Sequence, residues 1–185
     1  QRQELAYSMG VTAEKVAQKW HVGREVQDEF AFASHKNALQ AQSRGYFDYE
    51  IFGYDRIISH YDGKTNSRKD IVTTITADEG PRADTSLEAL AKLRPVFLQN
   101  GTVTAGNTSQ MSDGAAALVL ASADMVARLG LEPLARFSGF HVAGVAPEYM
   151  GIGPAVAVPQ LLQRHNLKIA DLDWVELNEA FAAQS

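Results

Sequence analysis

The stretch from Asn100 to Ser122, NGTVTAGNTSQMSDGAAALVLAS, places a loop of glycines and short polar side chains directly before an apolar run. Its glycines allow backbone conformations that other residues avoid, and they are Gly101, Gly106 and Gly114. Its polar side chains are an amide, a hydroxyl and a carboxyl group, on Asn107, Ser109 and Asp113. Such a loop can bring its backbone close to a ligand, and the same pattern also describes a turn that leads into a buried strand. The residues alone leave both interpretations open.

A second polar group lies in LNEAFAAQS, at positions 177–185. Asn178 ends an apolar run and precedes a helix-like pattern, so its side chain could cap a following helix. Glu179 is ionisable and is therefore a candidate general base. Neither residue type decides between a catalytic and a structural role.

Composition excludes several classes of protein. The hydrophobic content of 45% is enough to bury a core in one or two domains. The absence of cysteine excludes disulfides and thiolate metal sites. A net charge of -5 without a dense Lys/Arg run argues against nucleic-acid binding. No apolar run reaches the roughly 18 residues of a membrane span, and the start lacks the apolar core of a signal peptide, so a soluble protein is predicted.

Helical spacing and capping residues predict five helices, at about 12–20, 24–44, 85–94, 122–130 and 154–165. Thr12 and Ser122 are expected to cap the first and the fourth, and a capping box at 85–88 opens the third. The apolar residues of the second helix recur at helical spacing and predict its buried face. They are Val26, Phe30 and Ala33.

Other segments have the pattern of strands. Extended runs at 50–52 and 71–76 flank an Asp-Gly pair and predict a chain reversal, with a connection too long for a tight hairpin. Apolar runs at 115–121, 134–145 and 173–177 predict buried strands. Strand, helix and strand in succession favour a parallel α/β sheet after about residue 100.

Four segments in order resemble the thiolase family: YSMGVTAEKVAQKW, AKLRPVF with the loop described above, EYMGIGP, and VELNEAFAAQS. The resemblance covers essentially the whole chain, which corresponds to about the central half of a family subunit. It implies an α/β fold, a partial thiolase-like α/β/α/β/α layered sandwich with an inserted loop domain that covers coenzyme A. The implied domains are the loop domain at 1–111, the end of the N-terminal half at 112–132 and the start of the C-terminal half at 133–185.

The resemblance implies an acyltransferase of fatty-acid β-oxidation, which cleaves 3-ketoacyl-CoA with coenzyme A to acetyl-CoA and a shortened acyl-CoA. This chemistry needs a thiolate nucleophile, a histidine and a second cysteine. The chain has no cysteine, so it is expected to be a fragment that is inactive alone. Coenzyme A is a substrate, and no cofactor and no metal are expected.

Site residues follow from the resemblance one by one. Asn178 resembles the asparagine that fixes a catalytic water in the oxyanion hole, and Glu179 then supports the site. Ser109 resembles a serine that contacts the pantetheine arm, and Arg82 an arginine beside the adenine-diphosphate end. The resemblance also implies four residues that form walls of the acyl and pantetheine tunnel: Met9, Phe97, Met150 and Phe181. Periodicity alone would place these residues in a core. The histidines match no catalytic motif and are expected on the surface or in loops: His21, His35, His60, His141 and His165.

Alternatives remain for the substrate and for the class of protein. Ser8 stands where acetoacetyl-CoA thiolases commonly have histidine, and SQMSDG looks more like the degradative members. A biosynthetic acetoacetyl-CoA thiolase, or a non-catalytic CoA-binding or assembly protein of the same fold, stays possible. The expected partners are acyl-CoA, coenzyme A and further copies of the chain in a homodimer or homotetramer. The expected location is cytoplasmic, or the organelle matrix in a eukaryote.

Overall fold

The computed structural model describes residues 7–185. Its regular elements are α1 (Met9–Trp20), α2 (Arg24–Ser43), β1 (Tyr54–Asp62), β2 (Ser67–Ile75), α3 (Leu87–Ala91), α4 (Ala123–Leu129) and α5 (Gly153–Arg164). Short 3-10 segments lie at Pro147–Ile152 and Ile169–Asp171. The five predicted helices are confirmed, with shifted ends. No helix among the described residues is both long and apolar enough to cross a membrane.

The first helix begins earlier than predicted. Ser8, with extended backbone, is its N-cap, and the Thr12 N–H donates to the Ser8 carbonyl at 3.1 Å. Thr12 therefore belongs to the helical hydrogen-bond ladder and does not cap it, and its hydroxyl donates to the Met9 carbonyl. Ser122 caps α4 as predicted, because its Oγ accepts from the Met125 N–H at 3.2 Å.

The cap of α3 lies one residue after the predicted one. Ser86, and not Thr85, accepts the Ala89 N–H at 3.1 Å. Of the apolar residues around this helix, Leu90 is buried whereas Leu87 is 41% exposed. The predicted capping box therefore marks the right helix with its register shifted by one position.

The predicted buried face of α2 is only partly right: Phe30 is half-buried and lines a cavity, but the most buried residues of the helix are others. Val26 is 58% exposed, whereas Gln27 and Asp28 are buried beside Ala31. The reason is that α2 packs against a polar loop through hydrogen bonds, so its polar side chains are the ones that turn inward.

Strands β1 and β2 form an antiparallel hairpin, in register from Tyr54 opposite Ile75 to Asp62 opposite Ser67. The reversal at the Asp-Gly pair is confirmed. The connection at 63–66 is shorter than predicted, because the strands extend further toward the turn than the apolar pattern indicates.

The strands predicted at 115–121, 134–145 and 173–177 are wrong in this structure, where all three segments are irregular. Their apolar side chains are exposed, to 99% at Val119 and 77% at Trp174. A strand forms when a neighbour pairs with its backbone N–H and C=O groups, and within residues 7–185 nothing pairs with these segments.

The core joins α1, the glycine-rich loop and the C-terminal segment. Its buried members are Ala13, Ala17, Val103, Phe181 and Ala183. Phe97 packs edge-to-face on Phe181, with ring centroids 6.1 Å apart. A Cβ on Gly10 would lie 2.3 Å from the Phe97 ring, so glycine lets α1 approach this aromatic pair. The core therefore holds both polar segments noted in the sequence against one helix.

Candidate active site

The glycine-rich loop pairs with the C-terminal segment. The Ser109 N–H donates to the Ala180 carbonyl, and the Ala182 N–H donates to the Asn107 carbonyl, each at 3.0 Å. These bonds flank an antiparallel bridge between Thr108 and Phe181. Two segments far apart in sequence thus become neighbours, and Ser109 comes close to Asn178.

A cavity of about 490 Å³ opens between α2 and these paired segments. One face of α2 forms a wall, and its lining residues include Ala31, Ser34, His35 and Ala38. Ser109, Asn178 and Glu179 line it from the paired segments. We call it the polar cavity, because hydroxyl, amide, imidazole and carboxylate groups all face it.

A second cavity, of about 380 Å³, lies on the other side of Asn178. It includes three of the predicted tunnel residues, Met9, Met150 and Phe181, and we call it the apolar cavity. Phe97 supports this wall through its contact with Phe181. Asn178 lines both cavities and therefore stands at their junction.

The Asn178 side chain is available to a ligand. Its backbone carbonyl accepts a hydrogen bond from Gln184 Nε2 at 3.1 Å, while its side-chain amide has no protein hydrogen-bond partner among residues 7–185. No helix follows it within the described chain, so Asn178 is not a helix cap in this structure.

Glu14 holds the loop from beneath. Its buried carboxylate accepts hydrogen bonds from the backbone N–H groups of Thr102, at 2.9 and 3.0 Å, and of Val103, at 2.9 Å. A Cβ on Gly101 would lie 2.0 Å from Glu14 Oε1. Gly101 is thus needed for space; its φ, like those of Gly106 and Gly114, is not positive, which corrects the expectation of unusual backbone conformations there.

Asn107 serves the loop itself. Its Oδ1 accepts from the Thr104 N–H at 2.8 Å, and its Nδ2 donates to Asp28 Oδ1 at 3.0 Å and to the Thr102 carbonyl at 3.1 Å. The other Asp28 oxygen accepts from Arg24 Nε at 2.7 Å. Because these bonds occupy its amide, Asn107 fixes the loop and leaves ligand contacts to its neighbours.

Arg82 lies outside the walls of both cavities, in an exposed pair with Asp84. Its Nη2 and Nε donate to the Asp84 carboxylate at 2.8 and 3.1 Å. This hydrogen-bonded contact and the attraction of the charges raise the pKa of Arg82 and lower the pKa of Asp84. Its neighbour Pro81 does line the polar cavity, so the predicted role of Arg82 at the outer end of a ligand stays a prediction.

His35 was expected on the surface or in a loop, and it lies on α2. It is half-buried, lines the polar cavity and accepts the Arg82 backbone N–H on Nδ1 at 3.1 Å. Within residues 7–185, no cluster of three His, Cys, Asp or Glu side chains could hold a metal ion.

The sequence did not predict that α2 forms a wall of the polar cavity. Its inward stripe combines polar and small residues at helical spacing: Gln27, Asp28, Ala31, Ser34, His35 and Ala38. A search for a face of small and polar residues, as well as for an apolar one, would have found this stripe.

The chain belongs to the thiolase family. The profile described as "Thiolase, N-terminal domain" matches residues 2–124, and "Thiolase, C-terminal domain" matches residues 131–185. The mixed α/β structure is a partial thiolase-like fold, which confirms the predicted fold class.

Three relatives make the similarity specific. The chain is 46% identical over 177 residues to "3-ketoacyl-CoA thiolase, peroxisomal" of Homo sapiens, covering 96% of the chain and 41% of the relative. The acetyl-CoA acetyltransferase structure of Bacillus anthracis matches with a TM-score of 0.80 and 46% identity, over 95% of the chain and 42% of that protein. The dimeric peroxisomal thiolase structure of Saccharomyces cerevisiae matches with a TM-score of 0.82 and 39% identity, over 98% and 43%. The chain spans less than half the length of these relatives.

Proposed function

We propose that this chain is the central part of a thiolase whose complete form cleaves 3-ketoacyl-CoA with coenzyme A. The bond between C2 and C3 breaks, C2 gains a proton and leaves as acetyl-CoA, and the shortened acyl group passes to the sulfur of coenzyme A, whose thiol gives up its proton. The observation that carries the proposal is the position of Asn178 at the junction of the apolar and polar cavities. The 46% identity to a 3-ketoacyl-CoA thiolase supports the same substrate class.

Within this proposal each cavity receives one part of the substrate. The apolar cavity accommodates the acyl end against Met9, Met150 and Phe181, since these side chains are hydrophobic and adaptable. The pantetheine arm lies past Ser109 in the polar cavity. The Asn178 amide stabilises the negative charge that develops on the thioester oxygen, directly or through a water, and preorganised donors of this kind lower the barrier.

The remaining chemistry comes from elsewhere in the complete protein. Neither the sulfur nucleophile nor a second sulfur acid/base is supplied by a chain without cysteine. Coenzyme A enters and leaves as a substrate, and we propose no resident cofactor. Arg82 binds the adenine-diphosphate end by exchanging its contact with Asp84 for one with phosphate.

The quaternary state and location are part of the proposal. The yeast relative is titled a dimeric thiolase, which supports a homodimer, or a homotetramer built from two such dimers. The human relative is named peroxisomal, which supports an organelle matrix in a eukaryote and the cytoplasm in a bacterium.

A second candidate is the biosynthetic condensation of two acetyl-CoA molecules. The similarity to the Bacillus anthracis acetyl-CoA acetyltransferase favours it. Measuring kcat/KM of the complete protein for 3-ketoacyl-CoA substrates of increasing length separates the two, because a short-chain enzyme accepts acetoacetyl-CoA alone. Binding of coenzyme A without turnover of any of them would instead support the non-catalytic alternative.

The test of the site is Asn178→Ala in the complete protein. We expect kcat to fall by roughly 10-fold to 1,000-fold with little change in KM, as on loss of one oxyanion donor. Asn37→Ala is the matched control, because Asn37 is an exposed amide on α2 away from both cavities. A normal kcat together with a lowered melting temperature would remove Asn178 from the mechanism.

The 185-residue chain alone supplies a complementary test. We expect no thiolysis of acetoacetyl-CoA or of a longer 3-ketoacyl-CoA, because the chain contains no thiolate to carry the acyl group. Turnover by the purified chain would overturn the assignment of the nucleophile to the rest of the protein.

A further inference from the structure

Two adjacent residues of α2, both in the lining of the polar cavity, make hydrogen bonds to segments distant in sequence. Ser34 Oγ donates a hydrogen bond to Glu179 Oε2 at 2.5 Å. His35 Nδ1 accepts the backbone N–H of Arg82, which follows the lining residue Pro81, at 3.1 Å.

The Ser34 contact acts next to the proposed oxyanion donor. Glu179 follows Asn178 directly, so a hydrogen bond that ties Glu179 to α2 acts on the chain segment that carries Asn178. Gln184 Nε2 holds the Asn178 carbonyl on the other side of the residue. The amide of Asn178 is thus held through its backbone, while its own side chain makes no protein hydrogen bond within the described residues.

The hydrogen bond between Ser34 and Glu179 is of a kind that can hold two segments in a fixed position. A hydrogen bond from a hydroxyl to a carboxylate is short and stronger than a bond between neutral groups. Its partners are 145 positions apart in sequence, so it ties the C-terminal segment to α2. A carboxylate used as this acceptor stabilises a fixed geometry instead of taking a proton from substrate.

We propose that Ser34 is a positioning residue for Asn178, and that it acts through its hydrogen bond to Glu179. The inference rests on the proposed function, because it presupposes that the Asn178 amide acts on the reacting oxygen. Ser34 itself is assigned no contact with the reacting atoms.

The first measurement is steady-state kinetics of the complete protein with Ser34→Ala. We expect kcat to fall about threefold to tenfold, the effect of losing one hydrogen bond that orients a catalytic group, with KM nearly unchanged. Ser34→Thr keeps the hydroxyl and is expected to retain most of the activity. Ser43→Ala is the matched control, because the Ser43 hydroxyl lies on the same helix and donates to the Gln40 carbonyl of that helix.

A double-mutant cycle separates positioning from a general loss of stability. In an Asn178→Ala background, Ser34→Ala should change kcat by less than about twofold, because the group that it positions is already gone. An equal loss in both backgrounds, or a normal kcat for Ser34→Ala when Asn178→Ala is impaired, would overturn this inference alone. A normal kcat for Asn178→Ala would overturn the proposed role of Asn178 and this inference with it.

Discussion

The buried amide of Asn107 donates a hydrogen bond of 3.0 Å to the carboxylate of Asp28, 79 positions away in sequence. Both residues are almost without solvent contact, at 2% and 4% exposure. Arg24 binds the second oxygen of the same carboxylate at 2.7 Å. Since these buried polar groups satisfy one another, the loop that carries Ser109 is fixed to α2, which also forms the wall of the polar cavity.

Replacing Asn107 by alanine should destabilise the complete protein. The Asp28 carboxylate and the Thr104 N–H would lose a partner while staying buried, which predicts a loss of about 2–3 kcal/mol in the free energy of unfolding. Urea unfolding followed by circular dichroism measures this, with Asn37→Ala as the exposed control. A loss below about 0.5 kcal/mol, typical of a surface substitution, would contradict the structural role.

Gly101→Ala tests the close approach of the loop to Glu14. The added Cβ would lie 2.0 Å from a carboxylate oxygen that is buried and bonded to two backbone N–H groups. Because Glu14 cannot move without breaking these bonds, we expect a loss of about 2–3 kcal/mol in stability. Gly63→Ala, with no atom within 4 Å of its added Cβ, should stay within about 0.5 kcal/mol. Equal effects of the two substitutions would argue against this packing.

The Arg82–Asp84 pair predicts a pH dependence with a definite sign. The hydrogen bonds from Arg82, and then its charge, lower the pKa of Asp84 in the folded state. The pair therefore contributes to stability at pH values above the pKa of the unfolded carboxyl, and the contribution disappears as pH falls through the folded pKa. Because both side chains are exposed, we expect the contribution to be small and sensitive to salt.

The measurement is an NMR titration of the Asp84 carboxyl carbon. Arg82→Ala should raise the pKa of Asp84 toward its ordinary value. Arg68→Ala is the control, because Arg68 lowers the pKa of Asp70 in the same way and should shift the titration of Asp70 while leaving Asp84 unchanged. An Asp84 pKa that does not respond to Arg82→Ala would show that the pair does not persist in solution.

Ser109→Ala should differ kinetically from Asn178→Ala. If the Ser109 hydroxyl contacts the pantetheine arm in ground state and transition state alike, its loss weakens both equally. We expect KM for coenzyme A to rise about threefold to tenfold with kcat nearly unchanged. A fall in kcat at constant KM would instead place Ser109 at the reacting centre. Ser43→Ala serves as the control, because the Ser43 hydroxyl donates to the Gln40 carbonyl on α2 and Ser43 lines neither of the two cavities.

Helices and the family could be predicted from the sequence because their signals are local or ordered along the chain. Apolar residues recur at helical spacing in the range 24–44, and a glycine follows it. This residue, Gly45, has a φ of +70°, which suits a helix stop. Ser122 and Gly130 mark both ends of α4 correctly. The four thiolase-like segments predict that Asn178, Met9 and Ser109 belong to one site, and this stays a prediction.

Contacts between distant residues were decided only by the tertiary structure. The inward face of α2 is polar because Asp28 meets Asn107 and Ser34 meets Glu179, and neither partner lies within the helix. Glu14 belongs to α1, but the partners of its carboxylate are the backbone N–H groups of Thr102 and Val103, 88 and 89 positions away.

Dependence on a distant partner also explains why the predicted strands were wrong. An apolar run such as 115–121 shows which residues could be buried, but a strand also needs a neighbour that pairs with its backbone. Sequence determined the local preference of each segment and the family to which the chain belongs. Only the tertiary structure decided which polar groups meet, because a hydrogen bond between distant residues depends on the position of both partners and leaves no periodic signal in either.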